Sequence, residues 1–189
     1  MVSLLFSCRS TFDGIISYEV TIVSNNGDNK MYEYYKNKYG DTLVIDFQSN
    51  GNMKRFHKNG TLDYQLYSAK DGAIIFVYHN SQIDTFPCVE FSLNRIYKKK
   101  TDSEEIIGRD CNCYEILSTT KSDGDTVLIE ACYPKNNRKL FIRHKLYRTY
   151  QDYYIHELFK QNKAPYFKYY IHYPEVSIKY DGLQMERNK

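Results

Sequence analysis

The sequence has no tryptophan, and only 4 prolines and 9 glycines in 189 residues. So few breakers exclude a collagen-like or low-complexity chain. No apolar run approaches the roughly 20 residues that a membrane-spanning helix needs. There is no phosphate-cradling glycine loop, no dinucleotide fingerprint and no G-x-S-x-G elbow. His156 and Glu157 begin an H-E-x-x pattern, but position 160 is Lys, so the second zinc ligand is missing. The other histidines, His57, His79, His144 and His172, are scattered singly, and neither a metal nor a cofactor is expected. A surplus of one charge is lacking too. The net charge is +3, and the basic run RIYKKK at 95–100 is followed at once by the acidic DSEE. Nucleic acid is therefore not an expected partner. No internal repeat or linker divides the chain, and its length suits one domain.

What is abundant is aromatic: 20 Tyr and 10 Phe. Tyrosine suits a pleated, half-buried surface, ring inward and hydroxyl toward water. In GIISYEVTIVS, residues 14–24, Ile16, Tyr18, Val20 and Ile22 alternate with polar residues, the period of a strand with one buried face. The stretch KMYEYYKNKYG is ambiguous between helix and strand. Short strands at spacings near ten residues follow, punctuated by Asn59-Gly60 and Asp71-Gly72, both hairpin signals. Asn59-Gly60-Thr61 also matches a glycosylation sequon, but the hairpin turn already explains it. A second half repeats the style through IIGRDCNCYEILSTT and TVLIEACYPK. Helical spacing first becomes clear over residues 147–162, and two more strands close the chain. The expected fold is mainly β: a single curved antiparallel sheet, or half-barrel, wrapped on one or two helices.

Five cysteines carry further information. Cys111 and Cys113 are two apart on an expected strand and so share a face, where they are too far apart to bond each other. Cys88, Cys111, Cys113 and Cys132 are either buried thiols or include at least one bridge, depending on compartment. The carboxylates Asp110, Glu115 and Glu130 show no spacing that marks an acid or base, and no enzymatic activity is expected.

At residues 106–116, IIGRDCNCYEI, an apolar pair precedes Gly108, Cys111 and Tyr114 in a G-x-x-C-x-x-Y pattern. This resembles envelope lipoproteins of the Bacteroidota related to the GLPGLI-like group, although the GLPGLI hexapeptide itself is absent. GIISYEV looks like the group's first strand and TVLIEACYPKNNRKL like the strand after the motif. The resemblance implies a fold similar to the LolA/LolB lipoprotein carriers and no enzymatic activity. The opening LLFSC at residues 4–8 fits the same picture. Leu5 stands three before Cys8 and Ser7 just before it, the pattern of a lipidation site. Residues 1–12 then read as the remnant of a lipoprotein signal with its tether, and 13–186 as the single domain. The expected protein is anchored by lipid on Cys8 in the outer membrane, facing the periplasm or exported. It would bind a lipid, acyl chain or other apolar ligand on its concave face, with Tyr18, Val20, Phe47, Tyr64, Phe76 and Phe91 as lining. The alternative is an interaction protein docking through a tyrosine-rich surface. The sequence leaves the oligomeric state open.

Overall fold

The computed structural model describes residues 11–27, 29–88, 93–136, 139–150 and 152–188. The alternation of Ile16, Tyr18 and Val20 builds β1 (Gly14–Ser24) with those three side chains buried. The ambiguous tyrosine-rich stretch is a helix, α1 (Asn29–Tyr39), with no fully buried residue. Gly40 ends it in the left-handed region, φ +65°, with its N–H donating to Lys36 O at 2.9 Å. A Cβ at Gly40 would lie 1.8 Å from the Lys58 carbonyl, so the turn into the sheet requires glycine.

A meander follows: β2 (Thr42–Phe47), β3 (Met53–Lys58), β4 (Leu62–Ser68), β5 (Ala73–Tyr78) and β6 (Ile83–Pro87). The Asn59-Gly60 and Asp71-Gly72 pairs sit in its turns, as their residue types require. The second half runs β7 (Leu93–Lys100), β8 (Glu104–Ile106), β9 (Arg109–Thr120) and β10 (Thr126–Pro134). Ile107 and Gly108 both have positive φ and join β8 to β9 as a tight hairpin. After β10 comes an irregular stretch with 3-10 turns at His144–Tyr147 and Asp152–Tyr154, then α2 (Ile155–Asn162), β11 (Lys168–His172) and β12 (Val176–Arg187). The helical spacing over 147–162 thus yields a regular helix only in its second half. Tyr153 (φ 48°) and Tyr154 (φ 61°) are left-handed and break the first half.

All pairings are antiparallel, in the order β6-β5-β4-β3-β2-β1-β12-β11-β10-β9-β7, with β8 beside β9. The sheet is strongly curved, as two side chains demonstrate. Tyr150 stacks on Tyr67 of β4 with ring centroids 4.9 Å apart. Tyr154, four residues on, accepts a hydrogen bond at 3.1 Å from Ser118 of β9. In a flat sheet β4 and β9 would stand about 34 Å apart, at ~4.8 Å per strand step. Four residues of chain reach at most ~14 Å. The mainly β expectation, one curved antiparallel sheet around helices, holds.

The concave face is filled in part by the segment 139–167. Phe159 of α2 packs against Tyr147 at 5.0 Å, Phe47 at 6.4 Å and Tyr166 at 6.5 Å. Phe12 joins this core fully buried, 5.8 Å from Phe47, and its N–H donates to Phe141 O at 2.6 Å. Packing therefore begins by Phe12, inside the stretch assigned to the tether. On the convex face Cys113 and Cys132 stand opposite each other on β9 and β10 and form a disulfide. Cys88 and Cys111 stay as buried thiols.

Candidate functional site

Beside the filled part of the concavity lies a cavity of about 270 Å³. Its floor is the inner face of β3, β4, β11 and β12, its roof is Tyr150 and Tyr153, and α1 stands at its mouth with Tyr35, Lys38 and Tyr39. Alternation explains the floor. Met53, Arg55 and His57 of β3 pair with Phe47, Ile45 and Leu43 of β2, so they share the inner face. Arg55 also stands opposite Gln65 of β4. A guanidinium is thus placed on the core side of a central region of the sheet.

The wall is a ring of tyrosines held by hydrogen bonds. Tyr18 donates to Tyr166 O at 2.7 Å, and Tyr169 donates to Tyr153 O at 2.6 Å. The Tyr153 and Tyr173 hydroxyls bond each other. Tyr35 stacks between Tyr39 and Tyr173 at 5.9 and 6.2 Å. Burial pushes the phenol pKa of Tyr39 and Tyr173 well up, and that of Tyr180 to about 12, so these hydroxyls remain neutral donors at physiological pH. Arg55 lies 5.6 Å from the centroid of the Tyr180 ring, and among the described residues its buried Nε has no partner. His57 is 3% exposed beside Tyr39, its ring 5.2 Å away. Burial, and then the Arg55 charge, hold its pKa down to about 3, so it is neutral. Lys38 sits at the mouth, its ammonium over the rings of Tyr34, Tyr39 and Phe76 at 5.4, 5.4 and 5.6 Å.

No protein-family model and no curated protein matches the chain. The resemblance at Gly108, Cys111 and Tyr114 therefore stands on those residues alone. Among solved structures, a Vibrio parahaemolyticus domain provisionally assigned to outer membrane lipoprotein sorting aligns with 94% of this chain and 86% of its own length, at 8% identity and a TM-score of 0.38. At that distance neither fold family nor function carries over.

The residues expected to line a ligand site are mostly elsewhere. Tyr18, Val20 and Phe47 do face inward, but all three are packed in the core, with Phe47 beneath Phe159. Tyr64 faces outward, its ring under the Lys54 ammonium at 3.8 Å. A bulge between Leu62 and Tyr64 shifts the register, so these two residues fall on opposite faces despite their spacing. Of the five that are described, Phe76 alone lines the cavity. Phe91 and Cys8 lie outside the described residues. The signal that could have found the site is in MKRFHK. There the inner positions carry Arg55 and His57 while the outer one carries Phe56, an inversion that an ordinary core strand would not show.

A second polar chain runs over the convex face. Ser177 Oγ lies 2.8 Å from His172 Nδ1, and His172 Nε2 lies 2.9 Å from Glu130 Oε1. Its membership resembles a hydrolase relay, but its geometry does not. Ser177 is 3% exposed and donates its proton to Asn25 Oδ1 at 2.9 Å, not to the histidine. The hydroxyl is neither accessible nor activated as a nucleophile. Asp110 and Glu115, the other carboxylates weighed in the sequence, instead sit near Lys135 and Lys99 at the surface.

Proposed function

We propose that this chain is a non-enzymatic binding protein of a bacterial envelope that holds a small ligand in the tyrosine-lined cavity of its concave face. The observation that carries the reading is the cavity itself: about 270 Å³ of space, walled by rings and hydroxyls, next to a core that is otherwise closely packed. The disulfide between Cys113 and Cys132 suits an oxidising compartment outside the cytoplasm. Lipid on Cys8 would tether the domain to the membrane through the few residues before Phe12. The ligand is smaller and more polar-headed than a whole lipid, because the space is limited and the wall carries polar groups throughout.

Native mass spectrometry of the full chain, exported to the periplasm and purified without detergent, tests this. A bound small-molecule mass that is lost on organic extraction supports it. A clean unliganded mass, together with no binding from a metabolite library, refutes it. The second reading, an interaction protein, rests on the outer strands, where Ile83 and Phe86 of β6 and Ile96 of β7 are 63%, 53% and 59% exposed. It would not use a tyrosine-rich surface: among the described residues only Tyr34 and Tyr97 are exposed tyrosines, and the rest are at least partly turned inward.

A further inference from the structure

We infer that the cavity selects a small organic anion, a carboxylate carried on one ring or a short chain, and that Arg55 is the group that selects it. This rests on the cavity being a binding site, as proposed above.

The first observation is charge. Arg55 projects from the middle of β3 into the cavity, and Lys38 stands at the mouth. Among the described residues no carboxylate lines the cavity and no acidic side chain forms an ion pair with either cation. The space is therefore positive at both ends. A guanidinium cannot shed its proton in a protein, so Arg55 is charged whether or not a ligand is present. Taking a cation out of water is costly unless it is paired and its donors are bonded. Here the compensation is partial: the Tyr180 ring lies beside Arg55, and among the described residues the Nε–H has no acceptor. An oxyanion on the guanidinium fork would supply what is missing.

The second observation is size and shape. A cavity of about 150 Å³ suffices to hold benzene. The 270 Å³ found here admits one such ring, or a chain of a few carbons, together with a carboxylate. The walls are ring faces and edges, which suit a flat or slim apolar body. Gln65 stands beside Arg55 and can donate to the second oxygen. Lys38 attracts anions to the entrance and leaves its own charge over aromatic faces, where it costs little to keep.

The test uses the full chain and four probes: 3-phenylpropionate, hexanoate and their neutral amides, titrated by calorimetry and by ligand-observed NMR. The acids are expected to bind tenfold to a hundredfold more tightly than the amides, the range for a hydrogen bond to a charged group. Arg55→Met is expected to bring the acids down to the level of the amides while the melting temperature holds or rises, because an apolar isostere removes a buried charge that has no carboxylate partner among the described residues. Acids and amides that bind within twofold of each other would overturn the anion selectivity while leaving the cavity a binding site. A neutral molecule co-purifying in the cavity would do the same. No binding by any probe, with no co-purified ligand, removes both readings. A fall of many degrees in the Arg55→Met melting temperature makes Arg55 a structural cation and refutes its selecting role.

Discussion

Replacing Phe159 by alanine probes the central claim about this fold, that the segment 139–167 closes the concave face. Phe159 is fully buried and touches three other rings, those of Tyr147, Phe47 and Tyr166. A buried Phe→Ala change costs about 3–5 kcal/mol in transfer and cavity energy. Each aromatic pair adds about 0.5–1.5 kcal/mol beyond area. With three partners the upper part of the range applies, about 4–5 kcal/mol. For a domain of this size each kcal/mol moves the melting temperature by about 2–4 °C, so the expected drop is roughly 8–20 °C. Differential scanning calorimetry and urea unfolding should agree on it. Leu183→Ala, at a position 57% exposed on β12, serves as the control and should change stability by less than about 0.5 kcal/mol. A Phe159→Ala cost below about 1.5 kcal/mol would refute the reasoning, because a ring in that position cannot then be covering the sheet.

Two further predictions concern the cysteines and the buried histidine. The Cys113–Cys132 bridge spans a sequence separation of 19, for which loop entropy gives roughly 3 kcal/mol. The Cys113→Ser/Cys132→Ser double variant should melt about 6–12 °C lower than the oxidised protein and be indifferent to reductant, and an oxidised protein equally indifferent to reductant would contradict the bridge. His57 is neutral in the fold with a pKa of about 3 but takes up a proton near its ordinary value of about 6.5 when unfolded. Between those values the unfolded state holds the extra proton, so stability falls as pH falls, by about 1.6 kcal/mol from pH 6.5 to 5, since the unfolded histidine is only half protonated at the upper end and the slope reaches 1.36 per unit below it. His57→Gln should flatten that part of the curve relative to wild type. His144 and His156, whose pKa values burial also lowers, act in the same direction in both proteins and cancel in the difference. Glu130, held low first by its hydrogen bond from His172, contributes only at more acid pH, below its ordinary range. An unchanged slope between pH 6.5 and 5 in His57→Gln would count against a buried neutral His57.

The sheet was legible because its signals are local. Period-2 alternation marks β1, and Asn-Gly and Asp-Gly pairs mark turns of the meander. What escaped the sequence was set by contacts distant along the chain. β6 is mostly exposed, so no hydrophobic alternation announced it. α1 has tyrosines at helical and at strand spacings alike, and only its packing on β1 and β12 decides between them. The helix expected from residue 147 is broken by two left-handed tyrosines, a conformation no local residue type signals. The site was missed for a related reason. A search for apolar lining picks residues that fill the core, such as Tyr18 and Phe47, whereas the cavity is marked by the polar members of the inner face, Arg55 and Gln65.

The two middle strands of the sheet come from opposite ends of the described chain. β1 pairs with β12 from Gly14↔Arg187 to Ser24↔Val176, and β2–β6 extend from one side of that seam while β11, β10, β9 and β7 extend from the other. During synthesis β1 can meet β2 early, but its second neighbour does not exist until residues 176–187 have been made. The segment that covers the concave face also emerges late. Closure of so long a loop is slow, and contacts this distant in sequence belong to folds that form over milliseconds to seconds. A growing chain of this kind therefore stays incomplete until β12 has emerged, with its inner aromatic face uncovered. Until then it exposes the kind of apolar surface and unpaired strand edge that makes a folding intermediate prone to aggregate.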